Sequence, residues 1–238
     1  MQRSVALFED ALRIDPANGQ ARVGLAQALT LIYRNRWDPE PAQVLARADE
    51  AATGAISAAP NYAPAYSVKA EVLGLANRFD AALATYDRAI ALDRNHAVAY
   101  VGRARNLILV GRAREALAPV EHAIRLSPRD PELYVWYFVR CHANTHLERD
   151  ASTIEWCNKS IATGKTFFFA YVDLASAYAW RGQKAEAAAA VAELLKLRPG
   201  YTVQRLEQEG SEASDSPVFR REYQRIVEGA RRAGLPER

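Results

Sequence analysis

The stretch Ala99–Pro128, AYVGRARNLILVGRAREALAPVEHAIRLSP, carries the clearest structural signal in the sequence. It contains two apolar stripes with helical spacing, one on each side of Gly111, and it ends at a proline. Ala104 on the first stripe and Ala116 and Ala123 on the second are small, so two helices can cross closely there. The stretch therefore predicts a helix–turn–helix unit, with a helix A followed by a helix B.

The same unit recurs along the chain. Its second helix ends at Pro16, Pro60, Arg94, Pro128 and Pro199. The ends at 60, 94 and 128 are evenly spaced, about 34 residues apart, and the last interval is long enough for two units. The first interval is longer than one unit and carries an insertion around Tyr33–Gln43. One unit cannot bury its apolar face alone, so we expect the units to stack.

This pattern resembles the tetratricopeptide repeat family, whose unit is two helices with a period of about 34 residues. The second unit carries the resemblance in Tyr66, Ala70, Leu73, Phe79, Ala82, Tyr86, Ala89 and Leu92, and the last in Tyr171, Leu174, Ala175, Tyr178, Gly182, Ala187, Val191, Leu194, Leu197 and Pro199. The resemblance implies an all-α right-handed solenoid that binds proteins and has no catalytic activity.

The spacing also predicts the organisation of the chain. We expect a solenoid over 1–199, followed by a C-terminal linker and capping helix over 202–238. Within the solenoid the predicted units are a half repeat at 1–18 and full repeats at about 19–62, 63–96, 97–130, 131–167 and 168–201. The half repeat has the pattern of a helix B without its helix A. It indicates either a fragment of a longer protein or an N-terminal cap of one helix.

The segment 229–237, GARRAGLPE, carries a second resemblance. It is similar to the tails of bacterial regulators that carry tetratricopeptide repeats behind a class III adenylate or guanylate cyclase domain. The resemblance implies that the chain is the regulatory part of a larger bacterial signalling protein. The sequence itself contains no part of a cyclase domain.

Composition limits the other classes of function. The net charge is +3, and arginines alternate with glutamates in the last predicted helix, so a nucleic-acid partner is disfavoured. The sequence has no apolar run long enough for a membrane span and no signal-peptide pattern. Two cysteines are too few for a disulfide framework, so we expect reduced thiols and a cytoplasmic location.

No motif indicates a catalytic or cofactor site. The triplet Gly164–Thr166 lacks the other glycine of a phosphate-binding loop. His142 and His146, with Cys141 and Cys157, have the residue types of a zinc site. Both cysteines, however, fall on buried stripes, where cysteine behaves as a small apolar residue. We therefore expect no metal, no cofactor and no enzymatic activity.

The predicted functional surface is the concave groove, which the A helices line. The candidate contact residues are Gln27, Glu71, Val101, Arg105, Ile108, Val135, Val139, His142, Phe169, Val172, Ser176 and Trp180. The Lys and Asn clamp that some tetratricopeptide proteins use on chaperone tails is absent from this face.

An apolar or amphipathic segment of a partner protein, with an acidic residue meeting Arg105, is the predicted ligand. Val139→Glu is then expected to weaken binding without unfolding the chain. The alternative hypothesis is an architectural module that associates with itself through Leu7 and Phe8 of the N-terminal helix.

Overall fold

The structure is a computed structural model that describes residues 2–164 and 167–238. Lys165 and Thr166 of the triplet 164–166, and Met1 of the predicted half repeat, lie outside the described residues. The described part of the chain consists of thirteen α-helices and contains no strand. Among the described residues, no helix has the length and apolar character that crossing a membrane requires. The chain divides into two compact units, residues 1–106 and 107–238.

Unit 1 is built from helices that pack on their neighbours in sequence. They are α1 (Gln2–Ile14), α2 (Gly19–Asn35), α3 (Pro41–Ala58), α4 (Ala63–Leu75), α5 (Phe79–Leu92) and most of α6 (Ala97–Leu109). α1 packs on α2, α2 on α3, α3 on α4 and α4 on α5. Ala26, Ala52 and Ala65 are completely buried at these crossings, where a larger side chain would hold the backbones apart.

Unit 2 continues the helix pairs and adds a C-terminal pair. Its helices are α7 (Ala113–Leu126), α8 (Leu133–His146), α9 (Asp150–Ala162), α10 (Phe168–Trp180), α11 (Lys184–Leu197), α12 (Val203–Ala213) and α13 (Pro217–Arg232). α7 packs on α8, α8 on α9, α9 on α10 and α10 on α11. The predicted fold class, an all-α helical-repeat solenoid, is confirmed.

The turn between helix A and helix B has the same backbone in successive pairs. The turn residue adopts a left-handed conformation, and the next amide donates to a carbonyl five residues earlier, which closes the end of helix A. The left-handed residues are Arg36, Asn77, Gly111, Glu148 and Gly182. Two of the five are glycine and one is asparagine, which tolerates this conformation, so the packing of the pair imposes the turn only on Arg36 and Glu148.

Candidate functional site

In unit 2, helix α13 lies against the A helices α8 and α10. The predicted groove residues of these two helices are buried or half-buried. Val139 is 3% exposed, Val172 is 2% exposed and Ser176 is completely buried. The expectation that Val139 tolerates a glutamate is corrected, because an ionised side chain there would be buried without a partner.

The contact between α13 and α10 is close because α13 presents a glycine. A Cβ at Gly229 would lie 2.8 Å from the Cα of Ser176, which is closer than side chains approach a backbone. The indole Nε1–H of Trp180 donates to the Arg225 carbonyl at 3.0 Å. Arg225 also donates to both carboxylate oxygens of Asp150, at 2.9 and 2.8 Å. Packing and charge-assisted hydrogen bonds together hold α13 in place.

The tail of unit 2 also has a structural role. The carbonyls of Pro236 and Glu237 accept hydrogen bonds from the amides of Val203 and Gln204, at 2.8 and 3.2 Å. These amides belong to the first turn of α12, where backbone donors have no partner within the helix. The end of the segment 229–237 thus closes the start of α12.

The other predicted groove residues of unit 2 are placed differently. Ile108 is buried near the end of α6. Val135 and Phe169 are half-buried, and the Phe169 ring packs against Phe138 with centroids 6.3 Å apart. None of the three is a well-exposed residue of an open groove.

Among the described residues of unit 1, no additional helix packs over the A helices α2 and α4 as α13 does in unit 2. Gln27 and Leu31 of α2 are exposed. Glu71 of α4 forms an ion pair with Arg34 of α2, so the two helices are joined across this face. Val101, in contrast, is buried in α6. We call the surface formed by Gln27, Leu31, Arg34, Glu71 and Arg105 the unit 1 face.

Arg105 is the unpaired charge of the unit 1 face. Its side chain is half-buried and has no hydrogen bond or ion pair with any residue that the structure describes. Burial, together with the nearby Arg34, lowers the pKa of Arg105 from its usual value. The guanidinium still remains protonated in a protein. Because Arg34 and Glu71 neutralise each other, Arg105 leaves this face with one uncompensated positive charge.

Unit 2 contains a chain of titratable side chains between α8, α10 and α13. His142 Nδ1 lies 2.8 Å from Asp173 Oδ2, and His146 Nδ1 lies 3.0 Å from Glu222 Oε2. The two Nε2 atoms of His142 and His146 are 3.2 Å apart. Burial, with His142 nearby, holds the pKa of His146 well below its usual value, whereas burial raises the pKa of Glu222.

The two cysteines require a correction. The structure joins Cys141 of α8 and Cys157 of α9 in a disulfide, with the Cα atoms 5.2 Å apart. Sequence reasoning places both residues correctly on the buried stripes, but the expectation of reduced thiols is wrong. As long as the bond is present, neither sulfur is a thiolate that could bind a metal.

Helix α1 exposes part of its apolar surface. Leu7 is 61% exposed and Ile14 is 88% exposed, and the two lie on the same face of the helix, two turns apart. Val5 is buried, and the Phe8 ring packs over Gly24 of α2. Leu7 is therefore available to a partner, while Phe8 belongs to the packing of α1 on α2.

Sequence reasoning misses some residues of these sites. It omits Arg34 because the exposed groove positions predicted on α2 end at Leu31. Arg34 lies one helical turn further along the same helix. It also omits Asp173 and Glu222, which lie 31 and 76 residues from their histidine partners. No spacing rule connects residues so far apart in sequence.

Comparison with known proteins identifies the fold of the chain. The tetratricopeptide repeat family matches residues 63–96. PilW, a widely conserved type IV pilus biogenesis factor, has a TM-score of 0.64 and 17% identity over 84% of this chain and 90% of that chain. The pilF protein of Pseudomonas aeruginosa has a TM-score of 0.61 and 15% identity over 86% of each chain.

A third similar structure is YrrB, described as a tetratricopeptide protein with an unusual peptide-binding site. Its TM-score is 0.55, with 22% identity over 78% of this chain and 91% of that chain. No curated protein sequence matches the chain. Residues 63–96 are thus a tetratricopeptide repeat, and the chain has the fold of tetratricopeptide repeat proteins.

Proposed function

We propose that the chain is a protein-interaction module that binds an acidic, amphipathic segment of a partner protein on the unit 1 face. The observation that carries the proposal is Arg105, a half-buried guanidinium with no hydrogen bond or ion pair among the described residues. A carboxylate would supply the missing charge and accept its hydrogen bonds. Leu31, which is 37% exposed, offers an apolar contact on the same face.

The fold supports this proposal without naming the partner, because many ligands are bound by one fold. YrrB, a protein of the same fold, is described as having a peptide-binding site. In unit 2 the corresponding A helices are covered by α13. The unit 1 face, in contrast, offers exposed side chains together with a charge that has no ion pair among the described residues.

The proposal is tested by selecting peptides of twelve residues from a random displayed library on the wild-type chain. We expect the selected peptides to share an acidic residue. Arg105→Gln should weaken their binding about 10- to 100-fold, the loss of a charged hydrogen bond worth about 1.5–3 kcal/mol. Arg94→Gln, an exposed arginine of the same unit, is the matched control. Equal affinities for the wild type and Arg105→Gln would reject the proposal.

A second candidate function is self-association through α1, which the exposed Leu7 and Ile14 favour. A dimer would cover these side chains. In sedimentation experiments over a range of concentrations, Leu7→Glu should convert the associated chain to a monomer. Arg3→Glu, an exposed position of the same helix, should leave the mass unchanged. A monomeric wild type at all concentrations would rule this function out.

We also propose a regulatory role in a larger bacterial signalling protein, supported by the segment 229–237 alone. Its test is whether the purified chain changes the turnover of a class III cyclase from the same organism.

The disulfide bears on the cellular compartment of the protein. The Cys141–Cys157 disulfide favours an oxidising compartment over the predicted cytoplasm. Thiol titration of the protein taken directly from cells distinguishes the two.

A further inference from the structure

Two histidines and two carboxylates form one connected chain inside unit 2. The order is Asp173, His142, His146 and Glu222, with separations of 2.8, 3.2 and 3.0 Å between the facing atoms. The histidines are four residues apart on α8, whereas Asp173 belongs to α10 and Glu222 to α13. Three helices therefore contribute to one cluster, separate from the unit 1 face.

The hydrogen atoms of this cluster can be counted. When Asp173 and Glu222 are both ionised they only accept hydrogen bonds, so the Nδ1 atoms of His142 and His146 then carry hydrogens that point toward them. A neutral imidazole has only one N–H. Both Nε2 atoms then have lone pairs, and these face each other across 3.2 Å. Two facing acceptors repel each other unless a cation lies between or beside them.

We propose that His142 and His146 bind one transition-metal ion, such as Zn²⁺, through their Nε2 atoms, with Asp173 and Glu222 as positioning residues. Two nitrogens of a tetrahedral zinc site, each bonded at about 2.0–2.1 Å, lie about 3.3 Å apart. The observed separation of 3.2 Å is close to this value. Imidazole nitrogen is a ligand that zinc, copper and nickel share.

Each of the two histidines also faces a carboxylate on the side opposite its Nε2 atom. Histidines that bind metals commonly donate the other ring N–H to a carboxylate, which fixes the ring and raises the basicity of the ligand. Here both histidines have this arrangement. Aromatic rings hold them further, because Phe138 stacks on His142 and Phe219 stacks on His146, with centroids 5.3 and 5.0 Å apart.

The site is closed on one side and open on the other. The His146 side chain is fully buried, whereas that of His142 is 20% exposed. Water on the partly exposed His142 side would fill the remaining coordination positions of the metal. This proposal departs from the sequence expectation of no metal. That expectation considers the histidines together with the cysteines and does not include Asp173 and Glu222.

A competing metal site would use the two sulfurs and Asp173, whose candidate ligand atoms lie within 4.8 Å of one another. It requires reduction of the Cys141–Cys157 bond, which the histidine site does not. The variant with both Cys141→Ala and Cys157→Ala separates the two possibilities. It should keep its metal if the histidines are the ligands.

The experiment measures Zn²⁺ uptake by the full chain with titration calorimetry, and Co²⁺ as an optical probe of the ligands. We expect one ion per chain. His142→Asn should weaken binding at least about tenfold, and Asp173→Asn and Glu222→Gln about 10- to 100-fold. His122→Asn on α7 is the matched control and should bind like the wild type. Circular dichroism of each variant confirms that it is folded.

Three results would overturn the proposal. The first is a wild type that does not bind Zn²⁺ in a one-to-one ratio. The Nε2 atoms of the two histidines would then share a proton instead of binding a metal ion. The second is binding that His142→Asn does not change. The third is binding that disappears in the folded double cysteine variant, which would assign the metal to the sulfurs.

Discussion

The two units use the same repeat pattern but present different surfaces. In unit 1 the A helix α2 keeps Gln27 and Leu31 exposed. In unit 2 the groove positions Val139 and Val172 are buried, and α13 packs against α8 and α10. An apolar residue at a groove position therefore does not by itself indicate a binding surface. What packs on it determines whether a partner can reach it.

The units also differ in the surroundings of a half-buried arginine. Arg225 of unit 2 makes two hydrogen bonds to Asp150 and lies over the Trp180 ring, 4.7 Å from its centroid. Arg105 of unit 1 has no such partner among the described residues. One guanidinium is part of the structure of its unit, and the other is available for a ligand.

The largest difference in stability between the units should be seen when a glutamate is placed at a groove position of each unit. Val139→Glu should destabilise the chain by about 3–5 kcal/mol, because the carboxylate is buried without a partner. Leu31→Glu should change the free energy of unfolding by no more than about 0.5 kcal/mol. Urea unfolding followed by circular dichroism measures both. A stable Val139→Glu chain would show that the Val139 side chain is not buried in solution.

The next effect concerns the disulfide, which joins two helices of unit 2. Replacing Cys141 and Cys157 by alanine should cost about 3 kcal/mol, the entropy of closing a loop of about 15 residues in the unfolded chain. A reducing agent should destabilise the wild type by a similar amount and leave the double variant unchanged. Equal stability of the wild type with and without the reducing agent would contradict this account of the two cysteines.

A smaller effect tests the contact of α13 with α10. Gly229→Ala introduces a methyl group where the Ser176 backbone approaches, so we expect a loss of about 1–3 kcal/mol. Gln224→Ala, an exposed position of the same helix, should stay within about 0.5 kcal/mol of the wild type. The difference in thermal midpoint between the two variants gives the result. If the two midpoints agree, the close approach of these helices is not present in solution.

The weakest effect on stability should be found at Arg105. Because its charge has no partner to lose, Arg105→Met should leave the stability unchanged within about 0.5 kcal/mol, or raise it. Arg225→Met in unit 2 should instead cost about 2–3 kcal/mol, since it leaves Asp150 unpaired. A matched pair of urea titrations compares them. A large loss at Arg105 would mean that the residue has a structural role.

The fold could be predicted from the sequence because the same pattern occurs several times along it. Small residues such as Ala104 and Ala123 recur where helices cross, and the period of about 34 residues determines which helices pair. The position of α13 could not be predicted. Its apolar face, with Phe219 and Ile226, would suit a terminal cap as well as a helix lying across the A helices.

The candidate sites were only partly predictable, because their residues come together only when the helices pack. Helical spacing places Arg105 on the A-helix face, but its lack of a partner is a property of three-dimensional packing. Asp173 and Glu222 meet the histidines only after α10 and α13 have packed against α8. The two buried stripes predict the positions of Cys141 and Cys157, but not their oxidation state, which depends on the compartment.

Amide hydrogen exchange of the full chain, with and without the tightest acidic peptide from the displayed library, would show directly which unit binds a ligand. We predict that the peptide slows exchange in α2, α4 and α6 and leaves α8, α10 and α13 unchanged. Slower exchange in α8 and α10 together with faster exchange in α13 would contradict this prediction. It would show that the ligand displaces the C-terminal helix and binds unit 2.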